Sequence, residues 1–328
     1  MGLTTTLAVA AALAIAAAPA ATAHSPSPGA APWSYSGPNG PAHWGSLLPA
    51  SDFAMCAPSV PNQSPIDVPQ RALRAASGRS SVGDVARQAA TRLTAEAVAN
   101  GIHFDCPRRP ADGVRDCGVA HFLGRTFHLE NVHFHEGAEH TWGGGVRPLA
   151  EMHLEHGSED GDAGIVIAVP LHDRHVRGLP RARKDKKHHH KDRCGHKNDN
   201  DDDNDDDDND DDDDDDQGHN RIIERFVRAA EAGPGSHVRM RTRDWARLVD
   251  ARSGYCTYVG STTTPPCIAG ETWLLATSRT HVSVGQARRM LAAAAPGASS
   301  VARPVQPLEG RHVECTVGRR GKGTRRDH

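Results

Sequence analysis

The chain has 328 residues, 37% of them hydrophobic and 4% aromatic, with a mean hydropathy of −0.57 and a formal net charge of −3. No nucleotide fold, phosphate-cradling loop or nucleic-acid motif occurs. Beyond the N-terminal leader no stretch is long and apolar enough to span a bilayer, so neither nucleic acid nor membrane is an expected partner.

Residues 1–23 read as a secretory leader. The apolar run is too short for a membrane span, and Ala21-Thr22-Ala23 forms a cleavage site. Short alternating runs follow at 126–135, 150–154, 164–171, 237–242 and 271–277, which predicts a mainly β chain with few helices. One helix is clear: Ile222, Ile223, Phe226, Val227 and Ala230 share a face, Asn220 is placed to cap it, and Gly233 follows its end. A shorter helix is predicted over 284–294. Residues 24–173 and 221–315 are read as one domain, interrupted by an insert at 174–220 and followed by a basic tail at 316–328.

The insert changes sign along its length. Residues 181–197 are basic and His-rich, whereas Asp199–Asp216 holds 15 aspartates broken only by Asn200, Asn204 and Asn209. Set against the net charge of −3, those 15 charges leave the rest of the chain at +12. With no apolar residues and strong self-repulsion, the tract cannot fold alone. Dense carboxylates are hard oxygen ligands that suit Ca2+.

Seven cysteines fit an oxidising compartment. Cys106 and Cys117 flank an Arg/Pro/Gly-rich turn and are placed to close a small loop. Cys256 and Cys315 have no assigned partner, and Cys194, in the insert, reads as an unpaired or intermolecular thiol.

Among 21 histidines, three stand at spacings that suit a metal. His133 and His135 are two apart, so on a strand both rings project from one face. The glycines Gly143–Gly145 let the chain turn back and bring His153 beside them on an antiparallel neighbour. Three imidazoles with a fourth position open describe a catalytic zinc site.

These residues, read as HFH, EHT and AEMHLEH, resemble the α-class carbonic anhydrases. So do Trp33 to Trp44, Asn62-Gln-Ser-Pro-Ile-Asp67, Tyr258 to Cys267 with Thr272-Trp273, and Arg303-Pro-Val-Gln-Pro-Leu308. The resemblance implies a large, mostly antiparallel central sheet and a secreted zinc enzyme. His133, His135 and His153 would bind zinc, and zinc-bound hydroxide would hydrate CO2 reversibly to bicarbonate. By the same resemblance Glu151 orients His153, Asn131 replaces the usual Gln beside His133, and His140 partners Tyr258. Glu139 accepts a hydrogen bond from Thr263, Thr264 assists substrate binding, Tyr35 joins the ordered water, and Cys56 pairs with Cys267. An acidic insert interrupting such a domain resembles the nacrein-like proteins of mollusc shell matrix. That likeness points to calcium at Asp199–Asp216, with calcium carbonate or matrix polymers as partners.

Several positions depart from the family pattern. Glu155 and Glu271 fall where the family lines its CO2 pocket with apolar residues, and Thr262 replaces a Leu. Ile102 occupies the usual proton-shuttle position, leaving His103, one place on, as the candidate shuttle. A carboxylate buried there must protonate, find a cation or stay wet. Reduced activity is therefore expected. Two rivals stand beside the enzyme: a matrix or ion-binding protein that has lost catalysis, and a zinc hydrolase of small esters.

Overall fold

The computed structural model describes residues 33–316 except 77–86, 89–90, 99–100, 112, 116, 174–218, 250–253 and 279. The leader, nearly all of the insert with Cys194 and the Asp tract, and the tail from 317 lie outside the described residues.

Nine strands form the path of the main sheet: β1 (Thr91–Val98), β2 (Gly101–Asp105), β3 (Arg125–Glu136), β4 (Ala150–Ser158), β5 (Gly164–His172), β6 (His237–Met240), β7 (Tyr255–Ser261), β8 (Ala269–Ala276) and β9 (Glu314–Cys315). They run in the order β6-β1-β2-β3-β4-β5-β8-β7-β9, and three short strands alongside bring the sheet to 12. Every neighbour on that path is antiparallel except β5 with β8, which runs parallel, so the sheet is mixed but mostly antiparallel. Residues 33–173 and 219–316 thus contribute to one sheet across the intervening segment.

Alternation along β3 and β4 separates two environments. Val132, Phe134, Met152 and Leu154 face the larger apolar core, together with Phe226 of the helix Arg221–Ala232. The Phe226 ring meets Phe104 at 4.9 Å and Phe134 at 5.2 Å. Each such buried aromatic contributes about 1.5–3 kcal/mol. The opposite face carries the histidines and a second cluster including Tyr258 and Trp273. The helix begins as expected: Asn220 Oδ1 accepts from the backbone N–H of Ile222 and of Ile223. The second helix spans Val284–Ala294.

The run expected to be a strand over 237–242 instead ends at Met240, and Thr242–Leu248 is helical. Asp244 accepts from the Arg241 backbone N–H at 2.9 Å and pairs with Arg225, which turns the chain into that helix. Three disulfides join Cys56–Cys267, Cys106–Cys117 and Cys256–Cys315. The last pairing has no counterpart in the sequence reading; it joins register partners on β7 and β9. Among the described residues no helix is long and apolar enough to cross a membrane.

Candidate metal centre

The centre is built on two neighbouring strands. His133 of β3 and His153 of β4 are register partners, and His135 lies two residues along from His133. All three are buried, at 5%, 1% and 1% exposure. One nitrogen from each lies within 4.8 Å of the others. His133 Nε2 and His153 Nδ1 face each other at 3.2 Å, and His135 Nε2 is buried with no hydrogen-bond partner.

The opposite nitrogen of every ring is tied. His133 Nδ1 meets Asn131 Oδ1 at 3.1 Å, His135 Nδ1 donates to the Val301 carbonyl at 2.6 Å, and His153 Nε2 donates to Glu151 at 2.7 Å. Such acceptors fix ring tautomers and leave the inward nitrogens with free lone pairs. The donor set, two Nε2 and one Nδ1 imidazole nitrogens in a buried cavity, therefore fits a zinc ion. Burial, reinforced by His103, His153 and His135, holds His133 well below the ordinary imidazole range, and burial also lowers His135. Burial pulls His153 down too, but the Glu151 hydrogen bond and charge outweigh it and leave this ring raised.

Glu151 anchors a deeper network. Its Oε1 accepts from His140 Nδ1 at 2.6 Å as well as from His153, and its Oε2 accepts from the His140 backbone N–H at 3.0 Å. His140 Nε2 then meets Tyr258 Oη at 2.8 Å, as expected for that pair, and Tyr258 Oη meets Ser64 Oγ at 2.8 Å. Burial alone would raise the Glu151 carboxyl, yet His140 and His153 hold it well below the usual carboxylate range. Trp273 packs over this network, 4.8 Å from His140 and 5.0 Å from His153.

The expected Glu139–Thr263 hydrogen bond is not made. Glu139 is fully buried, and its Oε1 accepts from the Arg303 backbone N–H at 2.8 Å. Its Oε2 has no hydrogen-bond partner and lies 3.5 Å from His135 Nε2, the acid drawn toward the imidazole across the cavity. Thr263 is itself buried, and Thr264 is half-buried beside it. Thr262 is turned into its own loop: its hydroxyl donates to the Thr264 carbonyl and accepts from the Ile268 N–H, so it does not project into the pocket as the replaced Leu would. Tyr35 sits edge-on to Trp33 and Trp44, its hydroxyl buried without a partner and its pKa raised first by burial and then by Glu139.

His103 faces the cluster. Ile102 points into the core, and strand alternation turns the His103 ring onto His133, stacked at 4.5 Å and 12°. Its Nε2 is buried and unpartnered, and burial lowers its pKa. Glu155 is half-buried and accepts from Asn131 Nδ2 at 2.6 Å, extending a chain from His133 through Asn131 to Glu155. Glu271 is 5% exposed; burial, with the charges of Glu155 and Glu130, raises its pKa to about 8. Glu130 is a member of this group that strand alternation does not reveal.

Residues 209–317 match the eukaryotic-type carbonic anhydrase family model. Over most of its length the chain is also similar to carbonic anhydrases. It is 26% identical to carbonic anhydrase 1 of Monodelphis domestica over 312 residues, covering 87% of this chain and 97% of that protein. A carbonic anhydrase of Nostoc sp. is also 26% identical, over 86% of this chain and 84% of its own. The α-carbonic anhydrase structure from Aspergillus oryzae shares the fold, with a TM-score of 0.60 at 18% identity over 85% of this chain and 95% of its own.

Proposed function

We propose that this chain is a secreted zinc carbonic anhydrase that interconverts CO2 and bicarbonate. The supporting observation is the convergence of three buried imidazole nitrogens whose opposite nitrogens are all held by acceptors. A zinc ion held by His133, His135 and His153 would supply Lewis acidity to a bound water, an effect for which carbonic anhydrase is the reference case. His133 and His135 offer Nε2, and His153 offers Nδ1. Asn131, the Val301 carbonyl and Glu151 hold the rings in the required tautomers. Glu139 keeps one carboxylate oxygen without a hydrogen-bond partner; accepting from the Thr263 hydroxyl, it would leave the hydroxyl oxygen's lone pair to orient the reacting water. Thr264 contacts substrate, and Tyr35 orders water. His103, with a free Nε2 against His133, is the candidate proton shuttle. Carboxyl groups at Glu155 and Glu271 make the CO2 side more polar and lower turnover.

Export rests on the leader at 1–23 and on three disulfides. The Asp199–Asp216 tract, with 15 carboxylates, binds Ca2+ loosely at many points and associates with carbonate mineral or matrix polymers, as its nacrein-like character suggests. Calcium uptake and crystal growth in wild type against a variant lacking 199–216 test this, and equal behaviour rejects it. For the enzyme, stopped-flow CO2 hydration with a sulfonamide control is decisive. Activity should vanish in His153→Ala; an inactive wild type carrying one zinc per chain leaves the matrix-protein rival standing.

A further inference from the structure

Three cross-strand pairs stand in line on β3 and β4: Asn131 with Glu155, His133 with His153, and His135 with Glu151. Side chains two apart on a strand share a face, so all six project to the histidine side of the sheet. Glu151 and Glu155 therefore flank His153 along β4. Glu151 accepts from the His153 ring directly. Glu155 reaches the other ring of that pair by a longer route. Its Oε1 lies 3.9 Å from His133 Nδ1, too far for a hydrogen bond. Its Oε2 instead accepts from Asn131 Nδ2 at 2.6 Å, and Asn131 Oδ1 meets His133 Nδ1 at 3.1 Å.

The amide between them has nearly the same shape either way round, with an acceptor on one branch and donors on the other. Facing His133 alone, it has no fixed sense. Turned over, it offers an N–H to Nδ1, and the ring proton moves to the inward Nε2, where it blocks a metal. A carboxylate only accepts. Beside Glu155 the amide keeps its NH2 on the carboxylate and its oxygen on the imidazole, so the ring donates from Nδ1 and Nε2 keeps its lone pair. The bond that sets this sense is short, as hydrogen bonds to a carboxylate are. Only His133 needs such a device. His135 and His153 meet the Val301 carbonyl and the Glu151 carboxylate, which are acceptors in any orientation.

We infer that Glu155 is a positioning residue for the metal centre: acting through Asn131, it fixes the tautomer of His133. It belongs to neither group of side chains that could share an ion, so it acts from behind a ligand and not as one. This role rests on zinc at the three histidines, and the test keeps the two claims apart.

The readout is the zinc affinity of the full-length chain by chelator competition, which needs no CO2 hydration. Glu155→Leu should weaken binding about tenfold, in the range found when a partner of a metal-bound histidine is removed. Glu155→Gln should weaken it less, because its amide can still present an oxygen to Asn131. Asn131→Asp should also weaken it, since two carboxylates then meet across the 2.6 Å contact. Asn131→Asp combined with Glu155→Gln restores the sense of the relay at the same total charge, with the donor now on β4 and the acceptor on β3. Its affinity should return to within about threefold of wild type, a coupling that only direct contact produces. Exposed Glu159→Gln should change nothing. The cycle uses near-isosteric residues, so it decides the matter even where Glu155→Leu fails to fold. Wild-type affinity in Glu155→Leu, or a double variant no better than Asn131→Asp alone, overturns the relay and leaves the zinc reading intact. A wild-type chain that binds no zinc removes both.

Discussion

Replacing Glu271 by glutamine turns its burial into a measurable pH dependence. Burial first, then the charges of Glu155 and Glu130, move this carboxyl from an ordinary 4.5 to about 8. A raised acid pKa means that the folded chain holds its proton more tightly than the unfolded chain. The folded state therefore binds more protons between those two values, and stability falls as pH rises through the interval. Below about pH 4 the group contributes nothing, and above about pH 8 its penalty is complete. At about 1.4 kcal/mol per pH unit, the full penalty is on the order of 5 kcal/mol. Glutamine keeps the shape and removes the ionisation. In guanidinium unfolding with metal removed by EDTA, the variant and wild type should differ by less than about 1 kcal/mol near pH 5. Near pH 9 the variant should be the more stable by roughly 4–5 kcal/mol. Equal stability at the higher pH, or the same gain at both, refutes a buried ionising carboxyl at this position.

Glu151→Gln replaces an anion that accepts from His140 Nδ1, His153 Nε2 and the His140 N–H. Zinc affinity by chelator competition should fall about 10- to 100-fold, since the His153 tautomer is no longer held; unchanged affinity contradicts that role. Converting Cys256 and Cys315 together to Ser frees β9 from β7 across a sequence separation of 59, and should cost about 4 kcal/mol in denaturant unfolding under oxidising conditions. Asn220→Ala removes the acceptor for Ile222 and Ile223 and a donor to the His281 carbonyl, and should cost about 1–2 kcal/mol by the same measurement.

The histidine pairing was readable in advance because a two-residue spacing and a returning strand are local geometric facts. So was the helix at 221–232, whose periodicity is strong and whose cap is a single residue. Glu130 was not readable. Strict alternation opposes it to Asn131, and only the bulge after Leu129 puts both on one face. The helix at 242–248 is too short for its periodicity to outweigh the preceding β run, and it forms because Asp244 closes its first turn. The pairing of Cys256 with Cys315 depends on β9 joining the sheet edge, a contact that no local pattern encodes. Glu139 was expected to hold Thr263, yet it leans toward His135, because side-chain direction inside a cavity follows local charge as much as sequence motif.

The proposed activity requires one metal shared by three rings. Anomalous scattering at the zinc edge from crystals of the purified chain tests it most directly. One strong peak is expected, about 2.0–2.1 Å from His133 Nε2, His135 Nε2 and His153 Nδ1. Zinc bound only elsewhere, or absent from a chain purified without chelator, contradicts it.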